Sequence, residues 1–96
     1  MEEEQEVKKI PQWYKCLPNG DIEITTKDGV FELTDVEYDK VFRARQRAKG
    51  KEDIAMISES LVKPKLGELD ILKLHTSSVM RLTKAIYDLY DIESFL

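Results

Sequence analysis

One cysteine and one histidine are all that 96 residues supply of the side chains that most often organise disulfide and metal sites. Cys16 alone cannot close an internal disulfide, and with His75 it cannot provide the four ligands of a structural zinc site. Packing must therefore hold the fold, and a reducing compartment suits it. Nor is there an excess of positive charge: 15 Lys and Arg against 19 Asp and Glu leave a formal charge of -4. That balance disfavours a protein built mainly to neutralise phosphates. No apolar run approaches the ~20 residues of a membrane span. Met1-Glu2-Glu3-Glu4-Gln5-Glu6 is acidic where a secretory signal is basic and then apolar, so a soluble cytoplasmic protein is expected.

Converging reactive groups are lacking as well. The four glycines, Gly20, Gly29, Gly50 and Gly67, are isolated, and none belongs to a phosphate-binding loop. His75 reads as a polar residue flanking a helix, and Asp88 and Asp91 as part of a solvated face. With no nucleophile beside a base, no carboxylate pair at working distance and no ligand cluster, the expectation is a non-enzymatic protein. No catalytic, cofactor-binding or metal-binding residue is assigned.

What is present organises into one domain. Residues 1–10 are rich in Glu and Lys with little to bury, and read as a flexible acidic tail. Residues 11–96 read as a single α+β domain, a size that supports one modest core. Two turn signals, Pro18-Asn19-Gly20 and Asp28-Gly29, separate β-type runs and predict a three-stranded antiparallel meander. A two-residue Asp28-Gly29 turn sets Thr26 opposite Phe31 and Ile24 opposite Leu33. A three-residue loop with Gly20 in the left-handed conformation sets Leu17 opposite Asp21 and pairs Lys15 with Glu23. Tyr14, Cys16, Ile22, Ile24, Thr26, Phe31 and Leu33 then share the apolar face, with Cys16 as a small core residue.

Three to four helices packed on one face of the sheet complete the expected fold. Thr34-Asp35-Val36-Glu37 has the form of a capping box and predicts a helix to about Lys49, stopped by Gly50, with Tyr38, Val41, Phe42 and Ala48 as its inner stripe. A second helix starts near Glu52, buries Ile54, Ile57 and Leu61, and ends at Pro64. A short helix or turn over 67–74 carries Leu69 and Leu72. The last, capped at Thr76, Ser77 or Ser78, runs to about Tyr90 with Val79, Leu82, Ala85, Ile86 and Leu89 inward.

Two surface features suggest partners. Met80 and Tyr87, seven residues apart, form a smaller apolar stripe about 90° from the inner arc. Phe95 and Leu96 extend it. This stripe is either packed against a neighbouring helix or used to bind a partner or a second copy. Between Lys40 and Lys51 six basic residues, Arg43 and Arg47 among them, occur without an intervening acid. They read as a solvated face that attracts the acidic tail, as a dock for an acidic protein, or as a nucleic-acid contact, although no aromatic after Phe42 is interleaved for base stacking.

The order of features resembles a known group. The stretch DGVFELTDVEYDKVF, with Lys27-Asp28-Gly29 at its turn, leads into a basic helix, and Leu61-Val62-Lys63-Pro64-Lys65-Leu66 precedes a short leucine-bearing helix and the amphipathic stretch Leu82 to Leu89. Over about residues 20–92 this is similar to the tail assembly chaperones of long-tailed bacteriophages and phage-like elements. The resemblance implies a non-enzymatic protein of the host cell cytoplasm that holds tape-measure protein, and tail-tube subunits, soluble during tail assembly. It brings no catalytic residues. Met80, Tyr87, Phe95, Leu96, Arg43 and Arg47 are the partner-binding candidates. A small regulatory nucleic-acid binder using residues 40–51 and a homo-oligomeric structural subunit remain the alternatives.

Overall fold

The computed structural model describes residues 11–90, in the order β1 (Tyr14–Cys16), β2 (Ile22–Thr26), β3 (Gly29–Leu33), α1 (Tyr38–Arg47), α2 (Glu52–Ser60), β4 (Leu61–Lys63), α3 (Glu68–Ile71) and α4 (Thr76–Tyr90). The acidic tail assigned to residues 1–10 lies outside the described residues. The α+β class holds, with helices against one face of an antiparallel sheet ordered β1-β2-β3-β4.

The meander forms with its first register as expected. Lys15 faces Glu23, the Leu17 N–H donates to the Asp21 carbonyl at 2.8 Å, and Gly20 has φ +94°. The second hairpin is offset by two residues from the expected pairing: Ile24 faces Phe31, Ile22 faces Leu33, and Thr26 faces Gly29. Its turn residues are Lys27 and Asp28. The Thr26 hydroxyl accepts from the Asp28 N–H at 3.0 Å and donates to the Gly29 carbonyl at 2.9 Å, closing the turn one residue early. Gly29, at φ +124°, supplies the backbone conformation that this closure needs. Because the offset is even, the inward set is unchanged, and Ile22, Ile24, Phe31 and Leu33 are buried.

Cys16 is exposed, which corrects its assignment to the core. It ends a three-residue edge strand, and sharing a face with Ile22 does not bring a helix over it. Helix α2 is also shorter than its periodicity suggests. Leu61–Lys63 leave the helix and pair with β3 as a fourth strand, ending at a cis Lys63–Pro64 peptide. Pairing the open edge of β3 outweighs a further helical turn, and the residue before a proline favours extended backbone in any case.

The same ladder dissolves the expected capping box. The Thr34 N–H donates to the Ser60 carbonyl at 2.8 Å, continuing the contact between β3 and β4, and α1 starts at Tyr38 without a side-chain cap. The core that results joins sheet residues to Val41, Met56, Ile57, Ile71, Leu82, Ala85 and Ile86 from all four helices. On α4, Leu82, Ala85 and Ile86 are buried as the sequence indicates, with Val79 and Leu89 packed beside them.

Candidate functional site

Helix α1 meets α2 through small residues. Ala44 and Ala48 pack against Ala55 in a cluster separate from the main core, while Val41 reaches the core itself. Alanines allow close approach, and that approach sets how α1 is rotated. At ~100° per residue, Tyr38, Arg45 and Phe42 then fall about 60°, 40° and 100° to one side of Val41. Tyr38 and Phe42 were expected on the inner stripe, and this rotation turns them out. Tyr38 is 77% exposed and Phe42 44%, and their rings stack at 5.7 Å with 29° between planes. The sequence signal that anticipates this is the competing set Val41, Ala44, Ala48, spaced three and four apart, with small residues marking the closer contact.

Beside the stacked rings lies a groove of about 610 Å³, lined by Asp35, Val36, Tyr38, Val41, Phe42, Arg45, Met56 and Tyr90. The lining is mostly apolar. Arg45 Nη1 donates to Met56 Sδ at 3.0 Å, which holds a guanidinium at the groove wall. Tyr90, at the end of α4, anchors the other wall: its hydroxyl shares a 2.7 Å hydrogen bond with Ser60, accepts from the Val36 N–H at 3.3 Å and reaches the Thr34 carbonyl at 3.4 Å. One phenol thus ties α4 to the end of α2 and to the segment that leads into α1.

Of the residues singled out from sequence, none of the four that are described lines this groove. Met80 and Tyr87 are 62% and 51% exposed on α4. Tyr87 is partly accounted for within the fold, because its hydroxyl donates to Asp53 of α2 at 2.8 Å, a bond that raises its pKa. Arg43 pairs with Asp39 at 3.1 Å one turn away, and Arg47 is exposed. Phe95 and Leu96 lie outside the described residues. Tyr90, Val36 and Met56 escaped sequence reasoning because their roles come from where α4, the β3–α1 connection and α2 converge.

A second polar constellation sits at the other end of α4. Asp28, from the β2–β3 turn, accepts from the His75 N–H at 2.8 Å and from Ser78 Oγ at 2.7 Å, and its other oxygen lies 2.9 Å from His75 Nδ1. These are the residue types of a catalytic triad in a different order of bonding. The Ser78 proton goes to the carboxylate and not to an imidazole nitrogen, so the histidine has no means of activating that hydroxyl. The arrangement instead caps α4 from a distant turn, giving first-turn groups an acceptor at the positive end of the helix. The Ser78 hydroxyl first, and then the His75 N–H, lower the Asp28 pKa to about 2.

Burial, with smaller effects from Cys16 and Asp88, raises Tyr14 to about 12, which suits a core phenol and not a proton carrier. Among the described residues no three His, Cys, Asp or Glu side chains come together as a metal site, and no helix is long and apolar enough to cross a membrane. The groove along α1 is therefore the feature best shaped to receive something else. No protein-family model, curated protein or solved structure matches the chain.

Proposed function

We propose that this chain is a non-enzymatic phage tail assembly chaperone, working in the host cytoplasm, that binds tape-measure protein, tail-tube protein or both while a tail is built. The groove takes an amphipathic helix of that partner. One observation carries the reading: two large aromatic rings, Tyr38 and Phe42, stand out of the fold beside an apolar groove that could bury them. Exposed aromatics next to a preformed apolar groove are the form that helix-in-groove recognition takes, and aromatic anchors dominate such binding. Met80 forms a further apolar contact point on α4.

The nucleic-acid alternative draws less support. On the basic run, Arg43 is paired with Asp39 at 3.1 Å, and Lys51 lies 3.9 Å from Glu68, so part of its charge is already answered. Titration calorimetry of the full chain against tape-measure and tail-tube polypeptides encoded beside it is the direct test. Binding is expected to one of them, weakened more than about tenfold by Phe42→Ala, as befits an anchor side chain. Absence of binding to both would remove the reading. Retardation of DNA that weakens steeply with salt and depends on Arg43 and Arg47 would put the alternative in its place.

A further inference from the structure

We infer that the segment received by the groove along α1 is an amphipathic helix that carries one basic and one acidic residue about two to three turns apart at the border of its apolar stripe, the basic one meeting Asp35 and the acidic one Arg45. This rests on the groove-binding reading given above and adds the charge pattern by which an occupant is chosen. The first step is which charges face the groove. Helix α1 carries four basic residues, Lys40, Arg43, Arg45 and Arg47, but the rotation that turns Tyr38 and Phe42 outward brings only one of them to that side. At ~100° per residue, Arg45 lies about 40° from Val41 toward the rings, whereas Lys40 and Arg47 fall about 100° and 120° the other way and Arg43 about 160° round. The helix is basic as a whole, yet it offers the groove a single guanidinium, and that guanidinium is on the lining.

Arg45 has no acid of its own. Its hydrogen bond goes to Met56 Sδ at 3.0 Å, a thioether that accepts weakly and carries no charge, and among the described residues no carboxylate lies within ion-pair distance of it. Glu52 senses it only as a lesser influence: backbone N–H groups, that of Gly50 at 3.3 Å among them, lower this carboxyl first. At the other end of the groove Asp35 precedes the first turn of α1 and is without a cation among the described residues. Glu37 and Asp39 beside it are off the lining, and Asp39 is already paired with Arg43.

Two opposite, unanswered charges thus stand toward the two ends of one apolar groove. Arg45 comes seven residues after Tyr38, about 10 Å along the axis, and Asp35 precedes Tyr38, a span of about two to three turns for a helix laid alongside. Val36, Tyr38, Val41, Phe42 and Met56 contribute the apolar lining. An occupant that covers either charge without answering it strips that charge of water for nothing in return. The pair therefore discriminates among helices of equal hydrophobicity, rejecting those with one sign at both positions.

Fluorescence anisotropy with the full chain and three designed helical peptides tests the pattern. Each peptide is about 18 residues, five turns, with the same stripe of Leu and Phe, and they differ only at two border positions two turns apart: Lys and Glu, Glu and Glu, or Lys and Lys. The mixed peptide is expected to bind about tenfold more tightly than either of the others. Asp35→Lys should transfer the preference to the Glu-Glu peptide and Arg45→Glu to the Lys-Lys peptide, while Arg43→Glu leaves the order unchanged. Asp35→Asn and Arg45→Gln, which remove charge with little change of shape, should move the order the same way by less. Equal affinity for the three peptides, or binding of none, would overturn the inference. A preference of the native chain for Glu-Glu that Arg43→Glu abolishes would also overturn it, assigning the selection to the basic face of α1 as a whole. The tape-measure and tail-tube polypeptides separate this from the partner reading. If the peptides rank as expected and neither polypeptide binds, that reading fails and the charge pattern stands; if a polypeptide binds while the peptides rank alike, the pattern fails and the reading stands.

Discussion

The two ends of α4 solve different problems. At its N-terminal end the hairpin turn of β2 and β3 brings Asp28 to His75 and Ser78, and Arg81 reaches back to the Thr25 carbonyl at 2.8 Å with its guanidinium 5.2 Å from the Trp13 ring. Polar groups there find partners inside the molecule. At its C-terminal end Tyr90 secures the backbone just as firmly, yet beside it α1 leaves two aromatic rings and an apolar groove open. The difference teaches where to look for function: a surface whose groups are already matched has little to offer a partner, and the surface along α1 is not matched. If this is right, stability and binding should come apart on substitution. The largest stability effect belongs to the centre of α4, where Leu82 is fully buried. Leu82→Ala should destabilise by about 2–5 kcal/mol, the usual cost of a cavity in a packed core, read from urea unfolding. The fraction that remains folded should bind its partner with unaltered affinity.

Tyr90 belongs to both regions, since it closes the sheet-side network and forms the groove wall. Tyr90→Phe keeps the ring and removes only the hydroxyl. Ser60, which is fully buried, then loses its partner, and the expected loss is about 1–3 kcal/mol. Partner affinity should change little, because the ring that lines the groove is retained. A large loss of affinity with full stability would reverse the roles assigned here.

The polar end offers a smaller effect that pH isolates. The ordinary pKa of this carboxyl is 3.8 and folding lowers it to about 2, so the folded state favours the ionised form. A depressed carboxylate contributes stability at pH values above its unfolded pKa, and the contribution fades as pH falls from near 3.8 toward 2. Urea midpoints of the native chain and of Asp28→Asn should therefore differ at pH 7 and converge across that acid range. A constant difference down to pH 2 would show that the turn, and not the charge, is what the substitution disturbs.

Much of this comparison could be read in the sequence, but unevenly. The meander was legible because turn residues and alternation agree locally, so even a hairpin pairing offset by two residues left the inward set of Ile24 and Phe31 intact. Helix α4 was legible because its apolar arc has no competing periodicity. The short strand β4 was not, since three residues carry no period and their pairing with β3 is settled only across nearly thirty positions of chain. For α1 the difficulty was a tie. Tyr38, Val41 and Phe42 form as good a stripe as Val41, Ala44 and Ala48, and only the presence of Ala55 on the neighbouring helix decides between them. The groove inherits that decision, which is why Tyr38 and Phe42 are expected in the core from sequence while Met80 and Tyr87 are chosen for the surface.

The smallest stability effect is expected where the binding effect is largest. Phe42 is nearly half exposed, and its contacts are a stacked neighbour and the groove margin. Its replacement by alanine forfeits part of that contact but gains helix propensity, so the net change should stay within about 1 kcal/mol. Partner affinity should meanwhile fall more than about tenfold, since an anchor ring is removed from a preformed groove. Thermal unfolding and calorimetry on the same sample separate the two readouts. If Phe42→Ala instead unfolds the protein as severely as Leu82→Ala, then the ring is part of the core in solution, α1 is rotated the other way, and there is no groove for a partner to fill.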